Sequence, residues 1–159
     1  MKNLPVLFTV ILLFSAVGAN AQTSTWDSDY KAALTEAKKS GNPILVNFSG
    51  SDWCKWCIKL DQEVFSKKAF KKYADENLVL LLVDTPARKK LPADVAKQND
   101  TLKSKFKIRG FPTVLLIDGD GNVINQTGYQ YGGPEKYVEH LKGLRSEERR
   151  VGKECRSRW

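Results

Sequence analysis

Cys54-Lys55-Trp56-Cys57 places two thiols three positions apart, the group in this chain best suited to covalent chemistry. A cysteine thiolate is a strong nucleophile, and a pair at this spacing can close and reopen a short disulfide. Just before the pair lies Ile44 to Phe48, a short apolar, β-prone run behind the breaker Pro43. Just after it, Ile58, Leu60, Val64, Phe65 and Ala69 recur at roughly helical spacing. A helix starting at the pair puts the first sulfur where free amide protons and the helix dipole favour an anion. Cys54 is therefore the expected attacking thiolate, with the Lys55 ammonium as a second support. Cys57, one turn deeper, is expected to be less ionised and to resolve the mixed disulfide. Trp53 and Trp56 flank the thiols: Trp56, on the exposed turn, is expected to contact partners, and Trp53 either does so or packs at the strand–helix junction. Other chemistries use cysteines at this spacing. A structural disulfide between the two stays open as an alternative. Zinc would need two more ligands, and the remaining candidates are His140 and Cys155. Covalent haem attachment wants histidine after the second cysteine, where Ile58 stands. No metal and no cofactor are expected.

These residues must be carried by a scaffold, and the pattern along the chain describes one. Trp26 to Lys39 alternates apolar and charged positions at helical spacing, and Ser40-Gly41-Asn42-Pro43 stops it. The strand Ile44 to Phe48 follows, then the dithiol and a helix reaching about Asp75. Leu78 to Val83 is a continuous apolar run, as expected of a strand buried on both faces. Thr85 to Pro92 is a loop whose Arg88, Lys89 and Lys90 are expected to be solvated. A helix is expected over Ala93 to Phe106, with Val95, Leu102 and Phe106 inward. Val114 to Ile117 and Val123 to Gln126 are strands joined by the turn Asp118-Gly119-Asp120-Gly121-Asn122. A last helix starts at Gly132-Gly133-Pro134. Asp52 and Glu63 are expected as solvated helix-start charges, and His140 as a surface residue. The order predicts an α/β fold with a mixed central sheet of about four strands and helices on both faces.

The ends have a different character. Residues 1–21 combine Lys2, the apolar run Val6 to Val17 and the small-x-small site Ala19-Asn20-Ala21, the pattern of a cleavable export signal. The apolar run is about a dozen residues, short of the ~20 that span a bilayer. A mature domain is expected over 22–145, in the periplasm or secreted, with cleavage near Ala21. Residues 146–159 turn abruptly into a charge-dense run with no apolar period, read as a disordered tail and as a sequencing or gene-model artefact. Little weight therefore falls on Cys155 or Trp159. The domain between these ends is long enough for one core and too short for two. It carries 20 Lys and Arg against 15 Asp and Glu, so the formal +8 of the chain is partly a property of its ends. No basic stripe interleaved with aromatics points to nucleic acid. A monomer is expected.

The element order, the Cys-x-x-Cys after the first core strand and Arg109-Gly110-Phe111-Pro112-Thr113 before the hairpin together resemble the thioredoxin superfamily. The resemblance spans essentially all of residues 26 to 144. It implies a cis proline facing the active-site disulfide, which Pro112 matches, and a tryptophan before the first cysteine, which Trp53 matches. The run Ser51 to Cys57, with Leu60, Glu63-Val64-Phe65 and Thr127-Gly128-Tyr129, is similar to exported bacterial thioredoxin-like proteins. Two positions depart. Asn47 stands nearest the place of a buried acid, and a neutral amide cannot accept a proton. Lys55-Trp56 replaces Gly-Pro, so a housekeeping thioredoxin is not expected. The resemblance implies an exported thiol–disulfide oxidoreductase that reduces or isomerises protein disulfides through Cys54 and Cys57. Its partners would be protein thiols and disulfides and a membrane-bound reducing donor. The alternative is a non-catalytic binding module on the same scaffold.

Overall fold

The computed structural model describes residues 25–156. The expected export signal and its cleavage site lie outside the described residues. The element order is α1 (Tyr30–Ser40), β1 (Ile44–Ser49), α2 (Lys55–Leu60), a π-helical turn (Asp61–Phe65), α3 (Lys68–Asn77), β2 (Val79–Asp84), α4 (Ala93–Lys105), β3 (Thr113–Ile117), β4 (Val123–Thr127) and α5 (Gly133–Arg156). The four strands form one sheet in the order β2-β1-β3-β4. β1 runs parallel to β2 and antiparallel to β3, and β3 and β4 form an antiparallel hairpin. The mixed four-stranded sheet is the one the order of elements predicts, and the fold is the thioredoxin-like one that the resemblance implies.

β1 is central and buried at every position. Side chains alternate along it, so the two layers of the core separate by parity. Leu45 joins Leu60, Val64, Phe65 and Phe70 of the α2–α3 segment and Tyr137 and Leu141 of α5 on one face. Ile44, Val46 and Phe48 join Ala33 and Ala37 of α1 and Leu102 of α4 on the other. The chain leaves the sheet at Ser49, and the dithiol stands at that edge.

Several expectations need correction, and each has a physical reason. α1 begins at Tyr30, not Trp26, because Asp29 caps it by accepting from the Lys31 and Ala32 amides. The preceding residues run along the outer edge of β2 instead. The Asp27 amide donates to the Leu80 carbonyl, and the Leu82 amide donates to the Asp27 carbonyl. β2 is thus an outer strand, with Val79 and Leu82 half-buried, yet it is covered on both faces as expected: Leu80 packs into one core layer and Leu81 and Val83 into the other. The helix expected to reach Asp75 is interrupted by the π turn and restarts at Lys68. The wider turn lets the consecutive Val64 and Phe65 both enter the core. α4 has a thinner apolar face than expected: Val95 and Phe106 are half-buried. Amides hold it in their place, since Asn99 is buried and donates to the Asp84 carbonyl at 2.9 Å. Gln98 accepts from the Tyr30 amide and donates to the Ser28 carbonyl. A tail without regular structure was expected from residue 146, whereas α5 continues to Arg156. Glu, Arg and Lys are strong helix formers, and extending an existing helix needs no new nucleus.

α5 packs against the sheet through its first half. Tyr137 and Leu141 are fully buried, Val138 and Leu144 pack beside them, and the Arg145 guanidinium donates to the Asn77 carbonyl at 3.3 Å. Removing residues 147–159 is therefore expected to leave the melting temperature within ~2 °C. A loss above ~5 °C on thermal denaturation would show that those residues brace the domain.

Candidate active site

The polypeptide turns sharply where β1 ends. The Gly50 carbonyl accepts from the Trp53 amide at 3.3 Å and the Cys54 amide at 2.8 Å. A side chain at residue 50 would collide with the Trp53 indole, so glycine is what lets that ring fold back over the turn. Cys54 then caps α2: its Sγ accepts from the Cys57 amide at 3.2 Å, and its carbonyl accepts from the Ile58 amide at 3.0 Å. Cys54 and Cys57 are joined by a disulfide, with Cα atoms 5.2 Å apart. Cys54 is 7% exposed and Cys57 4%. The sulfur at the helix start thus faces an amide proton already aligned to hold a negative charge once the bond is opened.

Three loops converge on this turn. The Asp52 carboxylate accepts from the backbone amides of Ala87 and Arg88 at 2.8 Å each and of Lys89 at 3.3 Å. Those bonds, that to Ala87 foremost, hold its pKa below the ordinary 3.8. Ser51 donates through both its amide and its hydroxyl to Asp84. The Trp53 indole donates to the Thr85 carbonyl at 2.7 Å and meets Phe111 edge-on, with centroids 5.7 Å apart. The Phe111–Pro112 peptide bond is cis. Asp52 is therefore a structural latch and not the solvated helix-start charge expected of it.

On the other side of the dithiol stands an aromatic cluster. Trp56 meets Tyr129 at 5.2 Å and Tyr131 at 6.5 Å between centroids. The Lys59 ammonium lies 5.2 to 5.6 Å from all three rings. Glu63 ties the group together: it accepts from the Tyr129 hydroxyl and lies 3.7 Å from Lys59. That hydrogen bond raises the Tyr129 phenol above its ordinary value. Trp56 is 45% exposed, Trp53 49% and Tyr131 74%. Glu63 too departs from its expected solvated role, since the β4–α5 connection folds back onto it.

Among the other expected site residues, Lys55 is exposed at the first position of α2. Asn47 is buried on the sheet face that Leu45 shares with α2, and its Oδ1 has no hydrogen-bond partner among the described residues. His140 is half-buried, with Nε2 2.8 Å from the Thr127 hydroxyl. Tyr129 belongs to the motif Thr127-Gly128-Tyr129, whereas the chain alone does not assign Tyr131 or Lys59 to this site. Their signal was the aromatic pair Tyr129 and Tyr131 beside Gly128, Gly132 and Gly133, but only the fold brings it to Trp56.

A family model described as "Thioredoxin-like domain" matches residues 30–144. The "Disulfide bond reductase DsbH" of Chlamydia pneumoniae is 36% identical over 117 residues, covering 74% of this chain and 70% of that protein. The "Thioredoxin-related protein DsbJ" of the same organism is 32% identical over 145 residues, 83% of this chain and 42% of the relative's length. The solved structure of "DsbH Oxidoreductase" superposes with a TM-score of 0.73 at 32% identity, covering 84% of this chain and 92% of that one.

The Asp52 latch gives a pH prediction. A carboxylate held below its unfolded value of ~3.9 contributes stability above that pH and loses it as pH falls through the folded value. The melting-temperature deficit of Asp52→Asn relative to the parent is therefore expected to be largest near neutrality and to shrink below ~pH 4. A deficit as large at pH 2 as at pH 7 would mean that the ionised carboxylate is not what holds the loop.

Proposed function

The chain belongs to the thioredoxin-like family, and we propose that it is an exported thiol–disulfide oxidoreductase acting on protein disulfides through Cys54 and Cys57. The observation that carries this reading is the disulfide closed across the start of α2, with the Cys54 sulfur capping the helix. In the reduced protein the Cys54 thiolate attacks one sulfur of a target disulfide. The other target sulfur leaves as a thiolate and takes a proton from solvent. Cys57 then gives up its proton and attacks the Cys54 sulfur, releasing the second target thiol. Two electrons and two protons have passed to the target, and the Cys54–Cys57 disulfide remains. Isomerisation follows when another thiol of the target attacks the mixed disulfide before Cys57 does.

The neighbouring residues have roles in this scheme. The Lys55 ammonium favours the thiolate, modestly, because an exposed charge is screened. Trp53 and Trp56 give an apolar platform for the target, and the backbone beside Pro112 can pair with an extended target segment. The leader pattern of residues 1–21 supports export to an oxidising compartment, with a mature start at Gln22. A reductase working there must be recharged from elsewhere, so its donor is a dithiol protein served by electrons brought through the membrane.

The test expresses the whole chain in a bacterium, recovers the periplasmic fraction and measures insulin reduction. The expected product begins at Gln22 by mass and turns over insulin faster than an equal concentration of free dithiol. Cys54→Ser is expected to fall to the uncatalysed rate, and Cys57→Ser to accumulate mixed disulfides with target proteins. Activity no greater than free dithiol would favour a module that binds through its aromatic cluster without exchanging electrons.

A further inference from the structure

The loop latched by Asp52 carries the run Arg88-Lys89-Lys90, and all three residues are exposed. Its position is built, not incidental. Three of its amides bond to a side chain two residues from Cys54, and its Thr85 carbonyl accepts from the indole one residue from Cys54. Phe111, which meets the same indole edge-on, lies two residues from the exposed Arg109. Lys55 adds an exposed charge directly after Cys54. The carboxylates at this edge make their hydrogen bonds within it, Asp52 to loop amides and Asp84 to Ser51, and Asp52 also feels the Arg88 charge. Lys38, Lys59 and Lys103 form ion pairs with carboxylates, whereas none of these five cations does so among the described residues. The acids of this edge are thus hydrogen-bonded within it, while five bases around the dithiol stay exposed.

We infer that this rim selects protein targets whose reactive cysteines lie in acidic segments. The inference rests on the dithiol reading of Cys54 and Cys57 and names the class of substrate for it. A chain of two residues reaches at most ~7 Å, and the Asp52 side chain with its hydrogen bond adds about as much, so the loop backbone lies within roughly 15 Å of the Cys54 backbone and its side chains can reach a target seated on the dithiol. At ~10 Å in water one unit charge pair changes an encounter rate roughly twofold. Several such pairs compound to about five- to tenfold at low salt, and the effect fades once the screening length drops well below that distance.

The probes are cystine-bridged peptide dimers whose cysteine is flanked by Asp, Ser or Lys. Each is reduced by the protein, and its second-order rate is normalised to its rate with dithiothreitol, which removes the peptide's own reactivity. For the parent, the Asp-flanked peptide is expected to react about five- to tenfold faster than the Lys-flanked one at ~10 mM salt, falling to within about twofold at ~0.5 M. Lys89→Glu/Lys90→Glu is expected to abolish or reverse the preference. Lys39→Glu/Lys72→Glu makes the same change in net charge away from the dithiol edge and is expected to keep most of it. Equal loss in both double variants would overturn the inference, because net charge alone would then account for the preference. So would a preference that survives Lys89→Glu/Lys90→Glu, or no preference in the parent. The Ser-flanked peptide separates the two readings: all variants are expected to reduce it alike, and no reaction with it would refute the dithiol reading itself.

Discussion

The hydrogen bond from the Cys57 amide to the Cys54 sulfur ties the chemistry to the fold. An amide at a helix start has no partner within the helix and must find one elsewhere. Here the Cys57 amide is shared between the Cys54 carbonyl at 3.0 Å and the Cys54 sulfur at 3.2 Å, and a sulfur accepts weakly when neutral and strongly when it carries charge. The same contact that begins α2 therefore stabilises the thiolate. It exists only because β1, buried at all six positions, delivers the chain to one place at the sheet edge. Gly50 then gives the turn its room. Leu60, Val64 and Phe65 anchor the far end of the segment in the core, so the helix start cannot drift relative to the strand.

Around that point the structure is asymmetric. One flank is polar and rigid: Asp52, Ser51 and Trp53 fasten the loop after β2 through backbone hydrogen bonds. The other flank is aromatic, with Trp56, Tyr129 and Tyr131 gathered around Lys59 and steadied by Glu63. A target disulfide approaching Cys54 would meet a cationic lip on one side and ring faces on the other. Both surfaces come from connections between elements, which is where a rigid scaffold can vary recognition without disturbing its core.

How far this could be read from the chain depended on the range of the interactions. The strand before the dithiol, the hairpin at Asp118 to Asn122 and the stop at Gly41 are written in local composition and were legible. The chain's own turn chemistry explains why: Asp118 accepts from the Asp120 and Asn122 amides, and Gly41 takes the left-handed φ of 73° that closes α1. What was not legible depends on partners distant in sequence. Asp52 and Glu63 read as solvated charges because the Ala87 amide that holds Asp52 and the Tyr129 hydroxyl that binds Glu63 lie 35 and 66 residues away. Trp26 fitted a helical period but packs on Phe65 beside the outer strand. The π turn is not legible because a single helical period cannot bury the consecutive Val64 and Phe65, which fill the core together.

The central claim is that Cys54 and Cys57 form an exchanging couple and not a staple, and their reduction potential tests it most directly. The full chain is equilibrated with glutathione buffers of graded ratio, and the fraction of Cys54–Cys57 disulfide is read after acid trapping by mass. Stabilisation of the Cys54 thiolate by the Cys57 amide and Lys55 raises the potential, while screening of Lys55 and the lack of a histidine between the cysteines limit the rise. The account predicts a reversible two-electron transition above thioredoxin's value of about −270 mV and well below the strong oxidant's value of about −120 mV. A potential below about −300 mV, where structural disulfides lie, would contradict the claim of an exchanging couple, and one near −120 mV would contradict its action as a reductase.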